Sequence, residues 1–301
     1  MDTLQTGSQI DSREYMLLRD YVMDICGVFV PPEKSYLFET RLSRLMLEAG
    51  AGSLEELYAI LKSRASPILR QKVIDAITTN ETLWFRDEAP WVFLKNKLLP
   101  KFTEQLASGA KKRVRIWSAA ASTGQEIYSA VMCVHDYLST HKARGVDLSR
   151  FEFVATDICE RVLGIARKGR YDRIGIRRGL SDYYKNKYFT QSDSAFDIDP
   201  LIRDAVTFSR FNLLDTCRAL GPFDIIFCRY VLIYFNDDTK KKVLANLRGA
   251  LADTGILLTG NYVFIGLFDE GYDTRHHENL TYYTKKGRAP GEEQGNETAH
   301  S

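Results

Sequence analysis

The sequence of 301 residues predicts an α/β protein built on a doubly wound, parallel sheet, and three observations carry that expectation. Short apolar, β-rich runs alternate with helical patterns at the spacing of βαβ units. The run at 114–120 opens into a turn of small residues, Ala121, Ser122, Thr123 and Gly124, and then into an acidic helix start at Gln125 and Glu126. The run at 151–157 (FEFVATD) ends on a carboxylate, at the strand end where open α/β sheets bind ligands.

The first 75 or so residues read as a separate helical unit. Residues 15–26, 34–49 and 53–63 place apolar side chains at helical spacing, with breaks at Pro31-Pro32 and at the AGAGS stretch 49–53. Ser53 followed by Glu56 is a capping box that fixes the start of the third helix. Arg41 and Arg44, three apart, share a face of the second helix, with Lys34 a further seven residues back. Such a face either grips an acidic helix or is simply solvated, and solvation is the commoner fate.

In the sheet domain, the turn after the first strand contains one glycine, Gly124, where a G-x-G-x-x-G phosphate cradle needs three. Glu126 instead sets negative charge beside the cleft, which suits a ligand with a cationic ammonium group such as S-adenosylmethionine. Ser122 with Gln125, or Thr123 with Glu126, also forms a capping box that needs no ligand, and the motif alone leaves both readings open. Asp157 either accepts the two hydroxyls of a nucleoside ribose or caps the helix expected at 159–168. Further strands are expected at 207–214, 223–228 and 255–260, with a helix at 237–251. Residues 187–207 interrupt this rhythm with a polar stretch, TQSDSAFDIDP.

Composition narrows the function classes. With 45% hydrophobic residues the chain buries a large core, and 41 Lys+Arg against 39 Asp+Glu leave a net charge of +2, so no general affinity for nucleic acid follows. Cys26, Cys133, Cys159, Cys217 and Cys228 show no C-x-x-C spacing, which argues against a disulfide framework and against a metal site. No run of 18 apolar residues occurs, so no membrane insertion is expected, and the first 15 residues have neither a basic nor an apolar leader segment. A cytoplasmic protein is expected. Residues 1–12 read as a flexible N-terminus and 287–301 (GRAPGEEQGNETAHS) as a polar, disordered tail.

Taken together, TTNET (78–82), WFRD (84–87), WSAAASTGQE, VATDI, FNLLD and FDIIFCRYVLIYF resemble the chemotaxis receptor methyltransferases of the CheR type. The landmarks fall in the family's order and cover roughly residues 12–286. The resemblance implies a Rossmann-like S-adenosylmethionine methyltransferase sheet at 78–286, an N-terminal helical domain at 13–77 and a small inserted β-subdomain at about 187–207. It implies esterification of glutamate side chains on the cytoplasmic methylation helices of chemoreceptors, with S-adenosyl-L-homocysteine as product. Carried over position by position, it implies cofactor contacts from Asn80, Thr82, Arg86, Glu126, Asp157, Asn212, Leu213, Arg229 and Tyr230. It also tips Arg41 and Arg44 toward receptor binding. The inserted segment looks a few residues shorter than in members that hold a receptor's C-terminal peptide, so no dependence on such a tether is expected. The chain departs from the pattern at Tyr230 (usually Asn), Trp84 (Phe), Ile127 (Pro) and Asn261-Tyr262 (His-Ser).

A glutamate nucleophile is already ionised at neutral pH, so the reaction needs no general base, and none of the five histidines lies in a motif. Exclusion of water and in-line alignment of oxygen, methyl carbon and sulfur then supply the acceleration. Arg86 is the candidate that orients carboxylates, because a guanidinium fork fixes two oxygens at once. Tyr234 is a candidate for lining the acceptor channel, or else a core tyrosine. A second reading keeps the fold and the cofactor but not turnover: a non-catalytic signalling module in which Tyr230 has spoiled transfer.

Overall fold

The computed structural model describes residues 11–63, 66–141, 145–260 and 263–288. Most of both predicted flexible ends, 1–10 and 289–301, and the Asn261-Tyr262 departure lie outside the described residues.

The chain begins with four helices around a core of their own. α1 (Ser12–Cys26) starts where the Asp11 carboxylate accepts the Arg13 N–H and stops at Gly27, whose φ of 77° closes the last turn. α2 (Tyr36–Ala49) ends the same way at Gly50. α3 (Leu54–Ser63) has half of its expected capping box: Ser53 Oγ accepts the Glu56 N–H, while Glu56 Oε2 takes the N–H of Gly52. α4 (Pro67–Ile77) was not among the expected helices, yet it opens on Pro67 with Ser66 Oγ capping the Leu69 N–H. Its three buried positions, Val73, Ile74 and Ile77, make too short a stripe to announce it.

The second unit runs through α5 (Glu88–Phe93), α6 (Leu99–Ala107), β1 (Val114–Ser118), α7 (Gln125–His141), β2 (Phe151–Asp157) and α8 (Glu160–Lys168). β3 (Arg170–Asp172), α9 (Arg173–Arg177), α10 (Asp182–Tyr188), β4 (Phe189–Ser192), β5 (Ala195–Ile198) and α11 (Pro200–Arg203) follow. β6 (Val206–Arg210), β7 (Phe223–Phe227), α12 (Asp237–Ala250), β8 (Leu251–Leu258), β9 (Tyr272–His277) and β10 (Leu280–Lys285) complete it.

The large sheet has the order β6-β2-β1-β7-β8-β10-β9. β6, β2, β1, β7 and β8 pair in parallel, and β10 and β9 are antiparallel at one edge. β7 is buried at every position and β1 at all but Arg115, as strands covered by helices on both faces require. From β1 the chain goes to β2 and β6 on one side, then returns to β7 on the other, so the order reverses between β1 and β7.

The differences from the expected strands have local causes. β6 stops at Arg210, short of residue 214, because Asn212 turns the chain by accepting the Leu214 N–H on its own side chain. β8 begins at Leu251, with a register shift against β7 before Ile256, and the β9–β10 hairpin went unread because its YDTRHH edge is polar. The small sheet has the order β3-β5-β4 and draws β3 from upstream of 187–207, a three-residue strand too short to show alternation. All five cysteines are buried and unbridged.

Candidate functional site

A cavity of about 590 Å³, within the usual range for ligand sites, lies at the carboxyl ends of β1, β2 and β7, where the strand order reverses. Both units wall it. Phe29, Lys34, Tyr36 and Arg41 come from the helical side, and Asp157, Asn212, Arg229 and Tyr230 from the sheet. The two sides are joined at the linker after α1. Phe29 N–H donates to Tyr234 O at 2.8 Å, Val28 bridges Phe235, and Asn212 Nδ2 donates to Ile25 O at 2.9 Å. Gly27 sits so close that a Cβ there would come within 3.0 Å of Thr239.

Beneath the cavity runs a buried charge network. The Arg229 side chain, 1% exposed, pairs with Asp87 at 2.6 Å and with Glu126 at 3.1 Å, and donates to Arg86 O at 2.6 Å. The other Glu126 oxygen accepts from Ser118 Oγ at 2.7 Å. Burial pushes the Glu126 carboxyl above its usual range, while Arg229 and the Ser118 hydroxyl pull it back. Both oxygens of Glu126 are therefore engaged, and it supports the floor at Arg229 instead of lining the cavity. It also joins no capping box: Ser122 Oγ donates to Asn80 O, and Thr123 Oγ1 to Gln125 Oε1.

Asp157 does not cap α8, whose N-cap is Cys159. Asp157 lines the cavity, while Oδ2 accepts the Ser122 N–H and Oδ1 the Cys159 N–H, each at 2.9 Å. Burial raises its carboxyl, and those amide bonds oppose the rise. Each oxygen keeps a lone pair for a further donor. Asn80, Leu213 and Tyr234 also line the cavity. Asn212 does too, but its amide is committed at both ends, to Ile25 O and to the Leu214 N–H.

Arg86 lines the cavity with its guanidinium carbon 3.4 Å from the centroid of the Tyr230 ring. Among the described residues no carboxylate lies within 4.0 Å of it, so the adjacent Asp87 and Glu88 do not neutralise it. Asp87 instead accepts from Arg229 and from the Tyr230 hydroxyl. Backbone strain gathers here, since Phe85, Asp87, Ser122 and Tyr230 all have φ between 47° and 60°.

Two expected placements differ. Thr82 faces a separate pocket, with Arg170, Tyr171 and Arg178, while Asn80 lines both that pocket and the cavity. Arg41 and Arg44 do not share one outward stripe: Arg41 and Lys34 line the cavity, with Arg41 donating to Ile77 O and Thr79 Oγ1. Arg44 is 91% exposed at its side chain and pairs with Glu48. Three residues along a helix turn a side chain by roughly 60° from its neighbour, enough to separate a groove from open solvent. Asp87 and Ser118 were missed, and the signal for Asp87 was its place in the WFRD segment beside Arg86. Among the described residues no cluster of His, Cys, Asp and Glu could hold a metal ion, and no helix is long and apolar enough to cross a membrane.

A parallel sheet with a topological switch, a carboxylate ending its second strand and a roomy cavity above both define a Rossmann-like protein that holds a nucleoside cofactor. Residues 80–265 match the family described as CheR methyltransferase, SAM binding domain, and residues 13–78 match CheR methyltransferase, all-alpha domain. The chain belongs to the CheR methyltransferase family, and its cofactor is S-adenosylmethionine. It is 39% identical over 248 residues to chemotaxis protein methyltransferase Cher2 of Pseudomonas putida, covering 82% of this chain and 88% of that one. Chemotaxis protein methyltransferase 1 of Pseudomonas aeruginosa gives the same identity and coverage. Chemotaxis protein methyltransferase 1 of Vibrio cholerae is 36% identical over 282 residues, covering 93% of this chain and 100% of that one.

Proposed function

We propose that this chain transfers a methyl group from S-adenosylmethionine to glutamate side chains on the cytoplasmic helices of chemoreceptors, forming γ-glutamyl methyl esters. The observation that carries the reading is Arg86: a guanidinium on the cavity wall with no carboxylate partner among the described residues, held ready for one from outside. The residues present fit the cofactor. Asp157 offers lone pairs to ribose hydroxyls, and the Phe29, Tyr36, Phe211 and Tyr234 rings on the cavity wall suit a cationic sulfonium.

When bound, the cofactor supplies an electrophilic methyl on positively charged sulfur. Transfer of that methyl to an ionised glutamate would cancel the acceptor's negative charge against the sulfonium's positive one. No proton need move, and among the described residues that line the cavity there is no histidine. Arg86 orients the acceptor, Arg229 fixes the backbone of Arg86 through its carbonyl, and the linker after α1 helps to shut out water. Arg44 and the exposed end of Lys34 are the cations we assign to the acidic receptor surface. β4 and β5 are joined by only Asp193 and Ser194, which supports docking without a receptor C-terminal tether.

The test is methyl-labelled cofactor with a receptor cytoplasmic fragment. Label released as methanol by mild alkali is the expected result. Alkali-stable label would overturn the ester, and cofactor binding without any transfer would leave only the signalling module.

A further inference from the structure

The family pattern places Asn at the position of Tyr230, yet the structure builds several contacts around this tyrosine. Its backbone is in the left-handed region at φ 60°, a costly conformation for a bulky residue, and its ring packs where Gly260 leaves room. A Cβ on Gly260 would approach the ring to 3.3 Å, and Gly260 itself has φ 80°. The Tyr230 hydroxyl donates to Asp87 Oδ2, the same oxygen that receives Arg229. The ring lies 3.4 Å below the Arg86 guanidinium carbon and only 5.5 Å from that of Arg229. Arg229 is held by two carboxylates and a carbonyl, so of these two arginines Arg86 is the one whose placement depends on the ring.

We propose that Tyr230 is a positioning residue: its ring, pinned through Asp87 to the Arg229–Glu126 pair, carries the Arg86 guanidinium flat and leaves the N–H edges open to an acceptor carboxylate. A stacked guanidinium keeps its in-plane donors, so an acceptor meets it edge-on and bidentate, in one plane. A freely rotating arginine would bind the same charge without aligning it. Tyr230 thus acts on the acceptor through Arg86, and the inference rests on the methyl-transfer reading above.

The test compares Tyr230→Phe, which keeps the ring and drops the hydroxyl, with Tyr230→Leu, which drops both. With saturating cofactor, Tyr230→Leu is expected to lower kcat/KM for the receptor fragment on the order of tenfold, chiefly through kcat. Cofactor affinity by calorimetry is expected to stay within about threefold, and Tyr230→Phe, which keeps the ring but loses the bond to Asp87, to fall clearly between Tyr230→Leu and the native protein. Equal damage in both variants, or a loss confined to cofactor affinity, would overturn the role. Nuclear magnetic resonance gives a readout that needs no turnover. The Arg86 side-chain signals, assigned by Arg86→Lys, should be shifted upfield by the ring in the native protein and in Tyr230→Phe. Absence of that shift in the native protein sinks the proposal even if Tyr230→Leu fails to fold. Its presence in a protein that transfers no methyl would instead sink the transferase reading and leave the stack standing.

Discussion

At the scale of single residues, Arg86 and Asp157 invite opposite experiments. Arg86 makes no ion pair within the described residues, so Arg86→Ala removes no internal charge partner and should leave the melting temperature nearly unchanged. Its cost should appear in transfer, as a loss of about 1.5–3 kcal/mol in kcat/KM if it makes charged hydrogen bonds to the acceptor. Steady-state kinetics at unaltered rate would remove it from the mechanism. Asp157 is already bonded to two backbone amides, so Asp157→Asn turns an NH₂ group toward one of them and should destabilise the ligand-free protein by about 1–3 kcal/mol. The pH dependence has a definite sign. Burial raises the folded-state carboxyl of Asp157, so above the ordinary carboxylate range the unfolded chain loses this proton first. Native stability relative to Asp157→Asn should therefore fall as pH rises from about 4 to the raised value, then level off. Urea titrations of both proteins across that range check it. A difference that grows with pH would mean that the amide bonds outweigh burial.

At the scale of elements, the join between β1 and α7 shows how much of the site was legible. Gly124 has φ 93°, and a Cβ there would meet the Tyr128 ring at 3.0 Å and Ala166 at 3.1 Å, so the close approach of α8 to this turn requires a glycine. Gly124→Ala should cost about 1–3 kcal/mol, read as a lowered melting temperature, from positive φ and overpacking together. An unchanged melting temperature would show that the turn can relax. The sequence announced this turn because its signal is local: small residues between an apolar strand and an acidic helix start. For the same reason β2 was legible from end to end, with Phe151, Phe153 and Ala155 buried on the way to Asp157. Long-range facts were not legible. Glu126 looked like a cleft carboxylate because nothing in the local string says that Arg229, 103 residues away, would engage it. Asp87 went unread beside Arg86 because its partners lie 142 and 143 residues on. Short or polar elements, β3 and the β9–β10 edge, lacked the periodicity that reveals buried ones.

At the scale of the whole molecule, the cavity belongs to neither unit alone. Helical-side residues wall it, and they are fastened to the sheet by the Phe29–Tyr234 and Asn212–Ile25 hydrogen bonds and by the packing of Gly27 against α12. A ligand filling that space bears on both units and should tie the motion of one to the other. S-adenosylhomocysteine at about 100 times its Kd should therefore stabilise the protein by about 2.7 kcal/mol, provided that only the folded chain binds it. How that stabilisation is distributed is the more searching measurement. Hydrogen exchange should slow at the Phe29 amide as well as at amides on the sheet side of the cavity, such as that of Ser122 in the turn after β1, because opening the linker would uncover the ligand. Gly27→Ala, which forces a Cβ against Thr239, Leu214 and Phe235, should weaken the fastening and reduce the ligand's protection of Phe29 more than of Ser122. Equal protection at both amides in that variant would mean that the ligand reaches the linker without help from the Gly27 contact. Slowing confined to Ser122 in the native chain would mean that the helices roof the cavity without gripping its contents, and the closure assigned to the linker would have to be given up.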